Sequence, residues 1–337
     1  MSWSLSRMSR YVFQSKYLQQ LKENDELCAD VFEKSCYLMF AKDRPLLGAS
    51  SNVASESAVL WTPFSETIPY CQDLKNTSVL LTIDESTEDT PLFACRIDDP
   101  SKADEIGDKF NANFTDMRMA IFTLPEEQCN IISRAFTLLN WNQKTNFCSN
   151  CASPLRRNVS GTLRACTKPC DPRKANIYPP TFPVAITRVT DQKDEKVLLV
   201  RQPQYPRGMY TCISGFMEAG ETLEDSVRRE IAEEAGIVIE NVKYFQSQSW
   251  PLPQNSLMLG CTAVAMPGSE KLDIDKHELE MARWFSKAEV KAALERIKEN
   301  PGLLIRNSTE NLIVPPSGAV AHQLLQNWIS NYSPSHL

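Results

Sequence analysis

GFMEAGETLEDSVRREIAEEAGI, residues 215–237, says more about this chain than any other stretch of it. The run Thr222–Ala235 is expected to be helical, because Gly220 precedes it and Gly236 stands where a helix C-terminal glycine belongs. At helical spacing, Leu223, Val227, Glu230, Ile231 and Glu234 share one face, with Glu233 along its edge. A glutamate-rich helix ordinarily turns its acids to water. Here the three aliphatics must face a core, and they carry Glu230 and Glu234 to the margin of the interior. A desolvated, unpaired carboxylate is costly. A hard divalent cation, Mg²⁺ or Mn²⁺, relieves that cost, since it prefers clustered carboxylate oxygens. Gly215 opens the loop after a strand and Gly220 closes it before the helix, where the backbone must bend tightly.

Gly215, Glu221, Arg229-Glu230-Ile231, Glu233-Glu234 and Gly236-Ile237 together resemble the nudix box. The resemblance implies a metal-dependent hydrolase of a nucleoside diphosphate joined to another group. A pyrophosphate repels bare carboxylates. Cations between the two polarise the P–O bond and lower the pKa of a water, the expected nucleophile. The resemblance also implies individual roles. Glu230 and Glu234 hold metal, the Ser214 backbone carbonyl assists, and Glu278 supplies an acidic ligand from outside the box. Arg229, on another face of the helix, orients Glu221. Either Glu233 or Glu234 takes the proton of the water, and the pattern does not choose between them.

The chain has 337 residues, enough for two to three domains, and its apolar share of 42% is ample for cores. A net charge of −6 argues against a protein that coats nucleic acid. No apolar run approaches the roughly 18 residues of a membrane span. Eleven cysteines, an odd number in a chain without a secretory signal, point to free thiols and a metal site rather than a disulfide framework. Residues 1–22 contain Arg7, Arg10, Lys16 and Lys22, no acid, many serines, and Leu5, Met8 and Val12 at helical spacing. They are expected to be a mitochondrial transit peptide directing the protein to the matrix; without import the protein would be cytoplasmic.

Three regions follow, for an α+β fold class overall. Residues 23–143 mix apolar runs such as Ser78–Ile83 with an amphipathic helix over Pro125–Trp141, and are expected to form a small α+β domain. Residues 144–180 carry Cys148, Cys151, Cys166 and Cys170, two cysteine knuckles with the spacing of a zinc ribbon. Four thiolates leave no open position, so zinc there would be structural, supplying folding energy to a segment too small for a core. Residues 181–332 read as strands over Thr181–Arg188, Lys196–Gln202, Asn241–Gln248 and Leu257–Ala265. Helices are expected at Lys287–Lys298 and from Ala319 to Ile329. Strands flanked by helices fit the α/β/α sandwich that the nudix resemblance implies.

Ser247-Gln-Ser-Trp-Pro-Leu-Pro-Gln-Asn-Ser256 is expected to be a rigid loop, its two prolines fixing φ and removing donors. Trp250 offers a flat face to a base or nicotinamide ring, and Gln248, Gln254 and Ser256 offer hydrogen bonds. The run resembles the SQPWPFPxS signature of the NADH pyrophosphatase family. Ser249 and Leu252 replace a proline and an aromatic, and one extra residue precedes Ser256. That resemblance implies a pocket wall from Gln248, Ser249, Trp250, Pro251, Leu252, Pro253, Gln254 and Ser256, joined by Tyr178, the Ala321 backbone and Arg118. It further implies Mg²⁺ or Mn²⁺ dependence, a homodimer, and hydrolysis of NADH and NADPH to reduced nicotinamide mononucleotide plus AMP or 2′,5′-ADP. The alternatives are another dinucleotide, a nucleotide sugar or NAD-capped RNA as substrate, or a sensing module without catalysis. The latter fits poorly with four persisting box glutamates. His277, His322, Cys212 and Met258 have no ligand spacing and read as ordinary structural residues.

Overall fold

The computed structural model describes residues 5–49, 57–84, 89–168, 170–171, 176–300 and 312–330. The chain divides into two compact units, one ending at Pro180 and the other beginning at Thr181.

The first unit contains helices α1 (Leu5–Glu23), α2 (Asp25–Asp30), α3 (Phe64–Thr67), α4 (Leu74–Thr77), α5 (Ala103–Phe110), α6 (Met117–Thr123) and α7 (Glu126–Lys144). Its main strands are β1 (Cys36–Ala41), β2 (Arg44–Ala49), β3 (Ser57–Val59), β4 (Thr62–Pro63), β5 (Val79–Ile83), β6 (Pro91–Arg96) and β7 (Ala112–Phe114). They form one mixed sheet in the order β3-β2-β1-β6-β5, with β4 added on β1 and β7 on β2. Strand β1 lies parallel to β6, and both are apolar along nearly their whole length, as strands covered on both faces are. Tyr37 of β1 stacks on Phe93 of β6 with ring centroids 5.7 Å apart, and Phe32 packs tilted against Phe93 at 4.9 Å.

Helix α1 and the cysteine segment both pack within the first unit. The expected transit peptide, residues 1–22, overlaps α1, and only its first four residues lie outside the described ones. Leu21 of that helix is fully buried in the core of the unit, and Tyr17 and Leu18 pack against it. Gln14 Nε2 donates to Asp89 and the Lys22 carbonyl accepts from Asn158. Tyr17, Leu18 and Leu21 thus tie the second half of α1 to the core of this unit. The cysteine segment belongs to the same unit. Its strands β8 (Leu155–Arg157), β9 (Arg164–Cys166) and β10 (Asn176–Ile177) form a small antiparallel sheet. Its loop then bonds into the first unit through Ser160 O to Leu80 N (2.8 Å), Val159 N to Asp25 (2.8 Å) and Arg157 to Ser78 O.

The second unit contains β11 (Phe182–Thr190), β12 (Lys196–Arg201), β13 (Ile213–Phe216), α8 (Leu223–Ala235), β14 (Ile239–Trp250), β15 (Ser256–Ala265), β16 (Met281–Ser286), α9 (Lys287–Glu299) and α10 (Val320–Ser330). The sheet runs β14-β15-β11-β12-β16, with β13 paired to β11. Strand β12 shows how the layers arise. Leu198 and Val200 enter one core with Val227 and Ile231 of α8, whereas Val197 and Leu199 enter the other with Val290 of α9 and Leu324 of α10. Period-2 alternation with apolar residues on both sides thus demands a helix layer on each face. The result is the α/β/α sandwich expected from the sequence. No described helix is long and apolar enough to cross a membrane.

Candidate active site

Helix α8 starts one residue later than the sequence suggested, because Thr222 is its cap. The Thr222 backbone is extended (φ −80°, ψ 163°) and its side chain accepts from Asp225 N. Gly236 ends the helix at φ 68°, a left-handed conformation that glycine adopts freely, and its N–H donates to Ala232 O at 3.0 Å. Val227, Ile231 and Ala235 are buried against the sheet, and they take the two neighbouring acids inward with them. Glu230 is 8% exposed and Glu234 only 3%.

Arg229 organises the outer edge. Its Nε and Nη2 fork onto the two oxygens of Glu221 at 2.5 and 2.9 Å, Nη2 also donates to Phe216 O, and Nη1 reaches Glu230 at 2.8 Å and Glu233 at 3.0 Å. That fork, with a bond from Glu218 N, holds the Glu221 carboxyl down to about 2. Glu221 is fixed in charge and place, and it ties the loop after β13 to the helix.

The inner edge is different in kind. A Cβ on Gly215 would stand 1.9 Å from the Glu230 carboxyl carbon, so the Glu230 carboxylate lies directly against the bare backbone of β13. Burial pushes the Glu230 carboxyl up despite the nearby Arg229. Glu234 is pushed up to about 8, chiefly by burial and then by the charges of Glu230 and Glu278. Its Oε2 is buried and has no hydrogen-bond partner. Glu278, exposed on the turn before β16, acts on it from outside the helix, as does Asp275 more weakly. A lone buried carboxylate oxygen, with further carboxylates acting on it, is the donor set that a hard divalent cation satisfies. Ser214 immediately precedes Gly215 on β13 and pairs with Ile186.

The Trp-Pro segment differs from expectation. Ser247, Gln248, Ser249 and Trp250 belong to β14 and pair in register with β15, Gln248 opposite Met258 and Trp250 opposite Ser256. Only residues 251–255 form the turn. The reason is ordinary strand pairing, which the prolines do not interrupt until Pro251. Gln248 was expected to face substrate. Its Oε1 accepts from Val320 N at 2.8 Å and its Nε2 donates to Gly318 O at 2.6 Å, so its amide secures the start of α10. Ser256 is buried and its hydroxyl donates to Gln254 O at 3.1 Å. Ala321 is a buried core residue in the first turn of α10. Pro251 is buried, Leu252 half-buried, and Pro253 and Gln254 are exposed at the turn. Arg118, near the start of α6, and Tyr178, beyond β10, belong to the first unit.

Two aromatic residues passed unnoticed in the sequence. Phe182 and Phe216 are 38% and 48% exposed. Register places Phe182 opposite Ser256 and Phe216 opposite Val184, itself opposite Met258. Paired residues point to the same side of a sheet. Phe182, Phe216 and Trp250 therefore share the face that carries Gln248, and Phe216 is the next residue after Gly215. The available signal was an aromatic at each strand end beside the glycine-rich loop, where a core needs none.

In the first unit, the Sγ atoms of Cys148, Cys151, Cys166 and Cys170 all lie within 4.8 Å of one another. The Cys148–Cys170 and Cys151–Cys166 pairs are 3.9 Å and 3.6 Å apart. Tetrahedral zinc–sulfur bonds of about 2.3 Å put sulfurs about 3.8 Å apart, so the cluster has the dimensions of a four-thiolate metal site. Pro169, in the second knuckle, lies outside the described residues.

Comparison with known proteins agrees with this geometry. The NUDIX domain model matches residues 180–306. The chain is 32% identical to the human protein named NAD(P)H pyrophosphatase NUDT13, mitochondrial, over 99% of this chain and 96% of that one. The mouse protein of the same name is 33% identical over 98% and 94%. Human NAD-capped RNA hydrolase NUDT12 is 37% identical over 70% of this chain and 50% of its own length.

Proposed function

The chain belongs to the nudix family of hydrolases, and on that premise we propose that it hydrolyses the pyrophosphate bond of NADH and NADPH. The observation that carries this reading is the buried carboxylate pair on α8, with the Glu234 Oε2 atom left without a partner. Glu230, Glu234 and Glu278 hold the divalent cation, Mg²⁺ or Mn²⁺, and Ser214 assists through its backbone. When bound, the cation neutralises phosphate charge and eases deprotonation of water. Arg229 keeps Glu221 and the loop at Phe216 in place. Water attacks phosphorus, Glu233 or Glu234 accepts its proton, and the anhydride P–O bond breaks. The products are reduced nicotinamide mononucleotide and AMP, or 2′,5′-ADP from NADPH. The exposed rings of Phe182 and Phe216, with Trp250, supply flat surfaces for the base and nicotinamide, and the turn at Pro251–Gln254 borders them.

Two relatives named as NAD(P)H pyrophosphatases, aligned over nearly the whole chain, favour the free dinucleotide. The identity to NAD-capped RNA hydrolases gives a second reading in which the same bond is cut at an RNA end. Full-length protein incubated with Mg²⁺ and, in parallel, NADH, NADPH, NAD⁺ and NAD-capped RNA distinguishes them. We expect both mononucleotides to accumulate from NADH, and none in the presence of chelator. Intact NADH beside a cleaved competitor would overturn the substrate assignment.

The four-cysteine site is proposed to hold structural zinc, so elemental analysis of the purified chain should return one zinc per chain; a preparation that is folded and zinc-free would refute this. A mitochondrial location is supported by the names of the two relatives and by the basic, acid-free start. A fluorescent fusion of the full chain that stays in the cytosol would exclude it. A homodimer rests on the family resemblance, and sedimentation as a single chain would contradict it.

A further inference from the structure

The acid outside the box sits on a turn, and a turn must be held if it is to present a ligand. Its front end is fixed to α8, where Asp273 N donates to Ala235 O at 2.9 Å and Asp275 N to Glu234 O at 3.0 Å. Asp275 also closes the turn on itself, accepting at its carbonyl from Leu279 N and at its carboxylate from His277 N. Leu279 is fully buried. The rear end is fixed by one residue, Arg201, the last of β12. Its carbonyl accepts from Glu280 N at 2.8 Å, and its Nε pairs with Glu280 Oε2 at 2.9 Å. Its Nη1 donates to the carbonyls of Tyr205 and Pro206 at 2.8 and 2.6 Å. The Arg201 side chain itself is 12% exposed, whereas its partner Glu280 is 48% exposed. One guanidinium thus joins the strand end, the 203–209 loop and the residue two places beyond Glu278.

We propose that Arg201 is a positioning residue that, through Glu280, holds Glu278 where it can share a divalent cation with Glu234. This rests on the reading of Glu278 as a ligand. It does not depend on which dinucleotide is cleaved, because its test uses no substrate. Full-length, chelator-treated protein is titrated with Mn²⁺ and free Mn²⁺ is followed by electron paramagnetic resonance. Residues that orient metal ligands alter metal affinity by about 10- to 100-fold when removed. Arg201→Gln and Glu280→Gln are each expected to weaken Mn²⁺ binding by about 10-fold, and Arg201→Lys to recover part of it. Glu280 is half-exposed, so its amide keeps the proposal testable where Arg201→Gln unfolds. A purely structural arginine would lower the folded fraction and leave the affinity of the folded part unchanged. The decisive comparison is Arg201→Gln made in a Glu278→Gln background, where no further weakening is expected. An unchanged isotherm in both Arg201→Gln and Glu280→Gln, or the same weakening with and without Glu278, would overturn the proposal. Wild-type affinity in Glu278→Gln alone would overturn it at its premise, while leaving the proposed substrate untouched.

Discussion

Glu234→Gln is expected to lower turnover by about 10³-fold or more while making the metal-free protein more stable at neutral pH. The two effects have one cause. Glu234 is almost fully buried, one of its oxygens is unpartnered, and Glu230 and Glu278 add negative charge beside it. Its carboxyl is raised from 4.5 to about 8 in the folded chain. A group whose folded value lies above its unfolded value contributes stability that is complete below the unfolded value and is lost as pH rises through the folded one. Metal-free wild-type protein should therefore lose stability between about pH 4.5 and pH 8, by an amount on the order of a few kcal/mol. The glutamine variant, with no proton to lose there, should show less of that decline. Urea midpoints in chelator at pH 5 and pH 8 measure it. Parallel pH profiles in the two proteins would contradict the burial argument, and retained turnover would contradict the catalytic one.

Gly215→Ala should be nearly as damaging to activity, for a steric reason. The added methyl would lie 1.9 Å from the Glu230 carboxyl carbon and 2.1 Å from both its oxygens. Those atoms cannot yield without moving the carboxylate off the strand, and Arg229 restrains it from the other side. Overpacking of this kind costs about 1–3 kcal/mol, and a displacement near 1 Å of a catalytic group lowers rate by about 10²-fold. Gly268→Ala is the appropriate comparison. That glycine has φ +82° and open space around its missing side chain, so alanine there strains the backbone without touching a carboxylate. We expect Gly268→Ala to lose stability and keep kcat, and Gly215→Ala to lose both. Gly215→Ala with wild-type kcat would show that the close approach has no functional weight.

Much of this was legible because it is local. The face of α8, its glycine terminus and the cysteine knuckles depend on neighbours within a few turns of chain. So do the two-sided apolar strands that fix the layers. What stayed hidden depends on contacts far apart in sequence. The partners of the Gln248 amide lie 70 and 72 residues onward. Strand β14 continues through Ser247–Trp250 because β15 is there to pair with it, whereas the prolines suggested a loop. The burial of Leu21 likewise depends on strands and helices that follow it in the chain. Arg201 carried no motif at all; its meaning comes from Glu280, 79 residues on, and from its nearness to Glu278.

On this reading, carboxylates on α8 gather a divalent cation against a pyrophosphate. Mn²⁺ titration of the chelator-treated chain, read by the resonance of free Mn²⁺ in wild type and in Glu234→Gln, addresses it without reference to substrate. Saturable binding in the wild type that is lost or severely weakened in the variant is the expected result. Superimposable isotherms, or no binding in either, would contradict it.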